Sequence, residues 1–301
     1  MQARRYQLWG AEALWRELDA LLPGVSVEIV ASADSTNTRL LERARQSSGL
    51  RNAPVTTPGQ LDTADPGDTP TPHGRRNDDT RPCLLVAETQ TSGRGRQGRV
   101  WHSTAGLSLT FSLALPLSPP MWSGLSLAVG VALADALEPA VGDAPPRIGL
   151  KWPNDLWLLD APGRGRKLGG VLIETVAVGE RRMAVIGVGL NVLPQPPLQD
   201  LSAGIACLQE LRSDIDAPAA LHLVAAPLAR TLKRFERDGL APFLEGYRRR
   251  DLLLGRRIST THADVAEGVA DGIDEQGALR VRAGEVHTLV SGEVSVRPAA
   301  A

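Results

Sequence analysis

The sequence has little of several features that mark particular classes of protein. Its 301 residues include two cysteines, Cys83 and Cys207, too few for the disulfide framework of a small secreted domain, so we expect two core thiols. The 33 Lys and Arg residues nearly balance the 34 Asp and Glu residues, so the net charge does not point to nucleic acid or to a membrane surface. The five histidines show no metal-ligand spacing, which predicts no protein-bound metal such as zinc.

Long hydrophobic runs are also missing. The most apolar stretch, residues 125–137, contains Asp135 and is too short to span a bilayer. Glu12 and Glu17 lie in the N-terminal stretch, which is therefore no secretory signal. These features predict a soluble cytoplasmic protein, and the hydrophobic content of 43% is enough for a sizeable core.

Residues 46–82 differ in composition from the rest of the chain. They include six prolines, four glycines and six threonines but no aromatic residue. Such a segment buries too little apolar surface to offset the entropy that is lost on ordering. We therefore predict that 46–82 is a disordered surface insertion.

Elsewhere, the spacing of apolar residues predicts helices and one main sheet. The chain after Gly255 reads as short strands separated by turns, which predicts a small β-barrel docked on its neighbour. The predicted helices are 8–22, 34–45, 119–137, 217–238 and 241–250, and the predicted strands of the larger part are 25–31, 83–87, 107–115, 148–152, 156–159, 167–174 and 183–192.

The stretch GRGRQGRVW, residues 93–101, combines glycines with arginines. Its glycines match the G-x-G-x-x-G dinucleotide pattern, and it misses the P-loop pattern because Arg99 and Val100 stand where Lys and Ser or Thr are needed. Both of those loops lead into a helix whose N-terminus faces the phosphate. Here the following residues alternate as in a strand, so neither interpretation holds.

The same stretch nevertheless has the chemistry of an anion-binding loop. Its glycines allow close approach of the backbone, and Arg94, Arg96 and Arg99 supply forked cationic donors. A solvated basic turn is an equally good interpretation of this stretch taken alone.

Four further motifs place polar residues at the ends of predicted elements. In LKWPNDLWL, Lys151 suits stabilisation of developing negative charge, although it could instead face solvent beside a turn formed by Asn154 and Asp155. In DSTN, the residues at the helix start are either an N-cap or a site for a small polar ligand head. In KLGGVLIE and GVGLNV, Lys167 and Asn191 are the polar candidates, and the glycines either let a ligand lie against the backbone or relieve crowding in the sheet.

In this order, STN, ETQTSGRGRQGRVW, KWPNDLWL, KLGGVLIE and GVGLNV closely resemble the biotin protein ligases, also called biotin–[acetyl-CoA-carboxylase] ligases. The resemblance runs from about Ser32 to Arg297 and excludes the insertion. It implies an α+β fold, with a central mixed sheet flanked by helices as in class II aminoacyl-tRNA synthetases. It also implies a biotin- and ATP-binding catalytic domain over 1–250 and a small C-terminal SH3-like β-barrel over 251–301.

The chemistry implied by the resemblance has two steps. The carboxylate of biotin attacks the α-phosphate of ATP, which gives biotinyl-5′-AMP and pyrophosphate. A lysine of the biotin carboxyl carrier protein then attacks this mixed anhydride. The resemblance thus implies biotin and ATP as small-molecule partners, with Mg²⁺ accompanying the ATP phosphates.

The matching motifs also imply roles for individual residues. Lys151 and Arg96 would be catalytic. Biotin would be bound by Ser35, Thr36, Asn37, Gln90, Arg94, Gly95, Arg96 and Lys151, and the nucleotide by Arg99, Trp101, Lys167, Asn191 and Arg297.

Some biotin ligases also carry an N-terminal DNA-binding domain and act as repressors. Only the residues up to Asp34 precede the STN motif, so we expect no DNA-binding domain, no nucleic-acid partner, and a monomer or weak homodimer. A lipoate–protein ligase of the same fold is the alternative enzyme, and the complete GRGRQGR-W and KWPND pair argues against it. An inactive paralogue is disfavoured because Lys151 and the arginines are present.

Overall fold

A computed structural model describes residues 2–50, 80–139, 144–161, 164–195, 204–290 and 296–298. Its larger part is built on a seven-stranded sheet with the strand order β1-β2-β3-β7-β6-β5-β4. β1 and β2 are parallel and every other neighbouring pair is antiparallel, so the predicted mixed sheet is confirmed. The strands are β1 (Ser26–Ala33), β2 (Cys83–Gln90), β3 (Ser108–Pro116), β4 (Ile148–Lys151), β5 (Asp155–Ala161), β6 (Arg164–Val178) and β7 (Arg181–Asn191).

Helices cover both faces of this sheet. They are α1 (Gln2–Leu8), α2 (Ala11–Asp19), α3 (Thr36–Leu50), α4 (Leu125–Leu137), α5 (Ala217–Asp238) and α6 (Leu244–Arg250). Apolar residues of α2, α4 and α5 join the main core on one face, and α3 packs on the other face over a second, smaller core. Each large apolar side chain that is fully buried, such as Phe111 or Phe235, contributes about 1.5–3 kcal/mol.

The alternation in β3 follows from these two faces. Leu109, Phe111 and Leu113 belong to the main core, whereas Ser112 points the other way and contacts the start of α3. The polar residues of this strand therefore face a polar site inside the protein rather than solvent.

The C-terminal part is a five-stranded antiparallel sheet. Its strand order is β11-β10-β9-β8-β12. The strands are β8 (Arg257–His262), β9 (Val265–Ile273), β10 (Leu279–Ala283), β11 (Glu285–Leu289) and β12 (Val296–Pro298).

The segment that joins the two sheets is fastened to β4. The backbone N–H of Leu252 donates to the carbonyl of Leu150. Arg250, which is 4% exposed, donates to the carboxylates of Asp135 and Glu138 and to the carbonyl of Ile148. A buried guanidinium needs such partners to offset its lost hydration, and here they tie α6 to α4 and β4.

Several predicted boundaries differ from the structure. The predicted helix 119–137 begins only at Leu125, because Gly124 has a left-handed backbone (φ 80°). The predicted insertion starts too early, since α3 continues through Gln46 to Leu50, and it ends too late, since Arg81 and Pro82 lead directly into β2. Its remaining residues 51–79 lie outside the described part. None of the helices in the described ranges is long and apolar enough to cross a bilayer.

Candidate active site

A cavity of about 570 Å³ lies over the seven-stranded sheet, beside the start of α3. This volume is in the range of small-ligand sites. It is lined by the start of α3, the end of β2, the loop 94–102, the β4–β5 turn, and the middle of β6 and β7. The predicted site residues that line it are Ser35, Thr36, Asn37, Gln90, Arg94, Gly95, Arg96, Arg99, Trp101, Lys151, Lys167 and Asn191.

One end of the cavity is a buried network of hydrogen bonds. Ser35, Thr36 and Asn37 are each 3% exposed. The Thr36 backbone N–H donates to Gln90 Oε1 (2.7 Å), and Ser112 Oγ lies 2.6 Å from both Thr36 Oγ1 and Asn37 Oδ1. Satisfied buried networks of this kind are rigid, so this end is a preformed polar floor.

The start of α3 has the N-cap considered for DSTN, and its residues also line the cavity. Ser35 Oγ accepts from the backbone N–H of Thr38 at 3.4 Å, which is the N-cap interaction. The Thr36 N–H is not free for a ligand, since Gln90 occupies it. Ligand contacts at this end must therefore come mainly from side chains.

A glycine of β7 makes room for this floor. A Cβ on Gly187 would lie 2.3 Å from Asn37 Oδ1. The Asn37 amide also donates to the Leu172 carbonyl (3.1 Å) and to Glu174 Oε2 (2.9 Å). Gly187 thus lets Asn37 lie flat on the sheet.

The loop 93–101 folds over the cavity as a narrow turn. Arg94 and Val100 form a β-bridge, and Gly95 N donates to the Arg99 carbonyl at 2.7 Å. Gln97 (φ 55°) and Gly98 (φ 71°) reverse the chain in the left-handed region. The Arg94 guanidinium donates to Glu174 Oε1 (2.8 Å), which fastens the loop to β6.

Arg96 points into the cavity. Burial lowers the pKa of its guanidinium from the ordinary value, while Asp155 opposes that shift and Arg99 adds to it. Arginine stays charged in proteins, so a partly desolvated cation lies in the site. Its NH1 group lies 3.4 Å from Asn154 Oδ1, which joins the loop to the β4–β5 turn.

Trp101 closes one side of the cavity. A Cβ on Gly189 would lie 2.4 Å from Trp101 Cε2 and 2.5 Å from Cζ2, so the indole rests directly on the β7 backbone. Lys167 Nζ lies 6.0 Å from the centroid of the Trp101 ring and 2.8 Å from Asp155 Oδ1. A ring and a cation at this distance attract each other.

Lys151 lies at the end of β4 and lines the cavity. Its Nζ is 5.3 Å from the centroid of Trp157, and it does not simply face solvent beside a hairpin turn. Asn154 and Asp155 follow it as expected, but they also line the cavity.

The charge of the lining is strongly one-sided. Asp155 is its acidic residue, and its Lys and Arg residues are Arg94, Arg96, Arg99, Lys151 and Lys167. Cationic donors gathered in one cavity favour an anionic ligand. The cavity therefore combines a polar floor at one end with an excess of positive charge.

Comparison with known proteins shows the family to which this chain belongs. Residues 75–191 match the model of the Biotin/lipoate A/B protein ligase family, and residues 253–297 match the Biotin protein ligase C terminal domain. The chain is 31% identical over 299 residues to the Bifunctional ligase/repressor BirA of Escherichia coli, a match that covers 97% of this chain and 79% of that relative. The chain belongs to the biotin/lipoate A/B protein ligase family.

Other members of the family match as extensively. The Biotin--[acetyl-CoA-carboxylase] ligase of Mycobacterium tuberculosis is 32% identical over 305 residues, which cover 95% of this chain and 91% of that relative. The structure of the biotin protein ligase from Aquifex aeolicus in complex with biotin and ATP superposes with a TM-score of 0.65 and 25% identity, covering 91% of this chain and 99% of that one. These relatives are named as biotin ligases, so the resemblance inferred from the motifs is confirmed.

Asn191 has partners besides the cavity, and Arg297 lies in the C-terminal sheet. The Asn191 amide donates to the Lys167 carbonyl (3.2 Å) and accepts from Gln195 (3.0 Å), so it braces the lining as well as facing the cavity. Arg297 lies in β12, where its backbone pairs with Ser259 of β8. The adjacent Val296 lines the cavity, which brings β12 to the site.

Sequence reasoning missed the residues that hold the site together. Glu174 accepts from both Arg94 and Asn37, and Ser112 joins Thr36 to Asn37. Glu174 and Leu172 lie two positions apart in β6. Because side chains alternate along a strand, this spacing was the sequence signal that both residues share one face of the sheet.

Proposed function

We propose that this protein is an ATP-dependent biotin–protein ligase. It joins biotin to the AMP part of ATP, giving biotinyl-5′-AMP and pyrophosphate, and then transfers the biotinyl group to a lysine amine of the biotin carboxyl carrier protein, which releases AMP. The observation that carries the proposal is a single cavity in which a preformed polar floor adjoins five cationic side chains. The names of the relatives and the biotin and ATP bound to the Aquifex neighbour support it.

Biotin lies on the polar floor in this proposal. Its uncharged ring system needs donors and acceptors at fixed positions, and Ser35, Thr36, Asn37 and Gln90 offer hydroxyl and amide groups there. These groups are already held by each other and by Ser112, so little entropy is lost when the ligand binds. Arg94 and Gly95 cover this end from the loop.

Lys151 and Arg96 carry the first chemical step. A biotin carboxylate oxygen attacks the α-phosphorus of ATP, and the bond from that phosphorus to the bridging oxygen of pyrophosphate breaks. Negative charge is then shared among the carboxylate, the phosphoryl oxygens and the leaving group. Preorganised cations in a dry site stabilise such charge more than water does.

The nucleotide occupies the part of the cavity lined by Arg99, Trp101, Lys167 and Asn191. Trp101 supplies an aromatic wall, and its buried Nε1–H has no hydrogen-bond partner among the described residues, which suits a site completed by a ligand acceptor. Lys167 and Arg99 supply charge for phosphate, and we assign Arg297 of β12 to the nucleotide as well. Mg²⁺ enters with the ATP phosphates and neutralises part of their charge.

The loop 93–101 acts as a lid over the adenylate. A mixed anhydride reacts with water, so the enzyme must shield it until the carrier lysine arrives. The glycine backbone of the loop can move, and its arginines bind the anionic ligand, so the ligand itself favours the closed loop.

The chain divides into a catalytic domain over 1–250 and a smaller domain over 251–301 in this proposal. The five-stranded sheet of the second part curls into an SH3-like barrel. The change from the seven-stranded sheet to a separate five-stranded sheet after residue 250 supports a boundary at that place.

Transfer to a carrier protein tests the proposal directly. The protein is incubated with ATP, Mg²⁺, biotin and a biotin carboxyl carrier domain, and the carrier is weighed by mass spectrometry. We expect the mass of one biotinyl group (biotin less one water) to be added to the carrier, and no addition to a matched carrier whose acceptor lysine is replaced by arginine. Failure to label the lysine-containing carrier would contradict the proposal.

A further inference from the structure

The residue after Lys151 is held by the C-terminal sheet. Trp152 is 1% exposed, and its Nε1–H donates to the Gly277 carbonyl at 3.0 Å. Gly277 lies in the turn between β9 and β10. A turn of the second sheet therefore contacts the side chain that adjoins the proposed catalytic lysine.

This turn, residues 274–277, is internally rigid. Asp274 Oδ1 accepts from the backbone N–H groups of Gln276 and Ala278, each at 2.9 Å. The Gln276 carbonyl accepts from Ser123 Oγ at 2.7 Å. The turn is thus fixed both in itself and against the segment that precedes α4.

Gly277 fits a socket that leaves no room for a side chain. Its φ of +84° is in the left-handed region, and a Cβ there would lie 2.9 Å from Leu127 Cδ1, 2.9 Å from Leu240 Cδ2 and 3.0 Å from Gly124 Cα. One of these neighbours is backbone at the start of α4. A substituent at Gly277 must therefore displace the turn or the residues packed against it.

The segment after Lys151 is held on two further sides. Ser126 Oγ of α4 donates to the Pro153 carbonyl (3.0 Å), and Asn154 Nδ2 donates to the Val171 carbonyl of β6 (2.6 Å). Helix, sheet and C-terminal turn together fix three successive residues. A segment that is held by several contacts in this way is expected where a charged group must be kept in reacting geometry.

We infer that the turn 274–277 positions Lys151 for adenylate formation through Trp152. The inference rests on the proposed function and deepens it. The turn does not touch the reacting atoms; it sets where the lysine amine stands relative to the biotin carboxylate and the α-phosphate. The C-terminal sheet thereby contributes to the first chemical step.

Two glycines of the same sheet give a matched pair of variants. Gly284 has nearly the same left-handed φ (+83°), but a Cβ there would meet nothing within 4 Å. Both alanine variants therefore introduce similar backbone strain, but only Gly277→Ala also introduces a clash with neighbouring residues. Trp152→Phe is a second probe, since it keeps an aromatic ring and removes the N–H donor.

The experiment measures biotin-dependent pyrophosphate release, the affinity for biotin and the melting temperature of the full chain. A displacement near 1 Å in a reacting site costs up to about 10²-fold. We expect Gly277→Ala to lower kcat by about tenfold or more with the affinity for biotin unchanged, Trp152→Phe to lower kcat in the same way, and Gly284→Ala to match the wild type.

Equal kcat values for Gly277→Ala and Gly284→Ala would overturn the inference. So would a parallel loss of kcat, biotin affinity and melting temperature, because that pattern indicates general loosening. A wild-type protein that releases no biotin-dependent pyrophosphate would instead overturn the proposed function, and the inference with it.

Discussion

Gly189→Ala is expected to push Trp101 out of the wall of the cavity. The new Cβ would lie 2.4, 2.5 and 2.9 Å from Cε2, Cζ2 and Nε1 of the indole, whereas favourable carbon contacts lie at about 3.5–4.0 Å. β7 cannot move to relieve this, because it is hydrogen-bonded to β3 on one side and β6 on the other. The indole must therefore shift by about 1 Å.

Gly189→Ala should lower kcat/KM strongly and change the free energy of unfolding only a little. A misplacement of about 1 Å is expected to lower kcat/KM by up to about 10²-fold. Trp101 is only partly buried and lies outside the two hydrophobic cores, so the free energy of unfolding should change by less than the roughly 1–3 kcal/mol of an overpacked core.

The assay is biotin- and ATP-dependent pyrophosphate release, with Trp101→Ala and the double variant as partners. If the loss of kcat/KM comes from the displaced indole, adding Gly189→Ala to the Trp101→Ala variant should cause no further loss. Two residues in contact are expected to be non-additive in this way. Near-normal kcat/KM for Gly189→Ala, or full additivity in the double variant, would refute this account of the wall.

Three further predictions concern single residues. Lys151→Ala should lower the rate of pyrophosphate release by roughly 10²–10³-fold, because a lost charge donor in a dry site costs about 2.7–4 kcal/mol. Arg96→Gly should release the adenylate at least about tenfold faster, since a charge-assisted hydrogen bond contributes about 1.5–3 kcal/mol; streptavidin blotting should then detect biotin on a bystander such as albumin. Burial raises the pKa of Asp251 to about 6, so the folded state binds this proton more tightly than the unfolded state. That contribution to stability is present at about pH 4 and lost as the pH rises through about 6, by up to about 3 kcal/mol. Asp251→Asn keeps the acceptor for Leu253 N and should therefore raise the melting temperature at pH 8 more than at pH 4.

Each of these outcomes can fail on its own. Near-normal pyrophosphate release by Lys151→Ala would remove that residue from the mechanism. An Arg96→Gly variant that still makes adenylate and labels no bystander would show that the loop is not a lid. An Asp251→Asn variant whose effect on melting temperature is the same at pH 4 and pH 8 would show that this carboxyl titrates normally.

Local sequence signals predicted the elements whose ends are set by nearby residues. α5 runs over the predicted residues Ala217–Asp238, because Asp216 caps its start and Gly239 ends it with a positive φ. The alternation over 107–115 correctly excluded a dinucleotide loop, since β3 and not a helix follows the arginines. Gly124 was a comparable signal for the start of α4, and the preceding prolines drew the prediction away from it.

The site residues were predictable as motifs but not as a network. Twelve predicted residues line one cavity, because the motifs fall at the ends or glycines of strands that the sheet brings together. The pairing of Glu174 with Arg94 and Asn37 depends on how β6 is registered against β7 and on where α3 crosses the sheet. Contacts between residues some 80 to 137 positions apart leave no trace in local periodicity.

The central claim is that this cavity makes biotinyl-5′-AMP. The most direct measurement incubates the protein with ATP, Mg²⁺ and equal concentrations of biotin and lipoate, and identifies the adenylate by its mass. The account predicts biotinyl-AMP, formed together with one pyrophosphate per adenylate, and no lipoyl-AMP. Lipoyl-AMP in its place, or no adenylate at all, would contradict it.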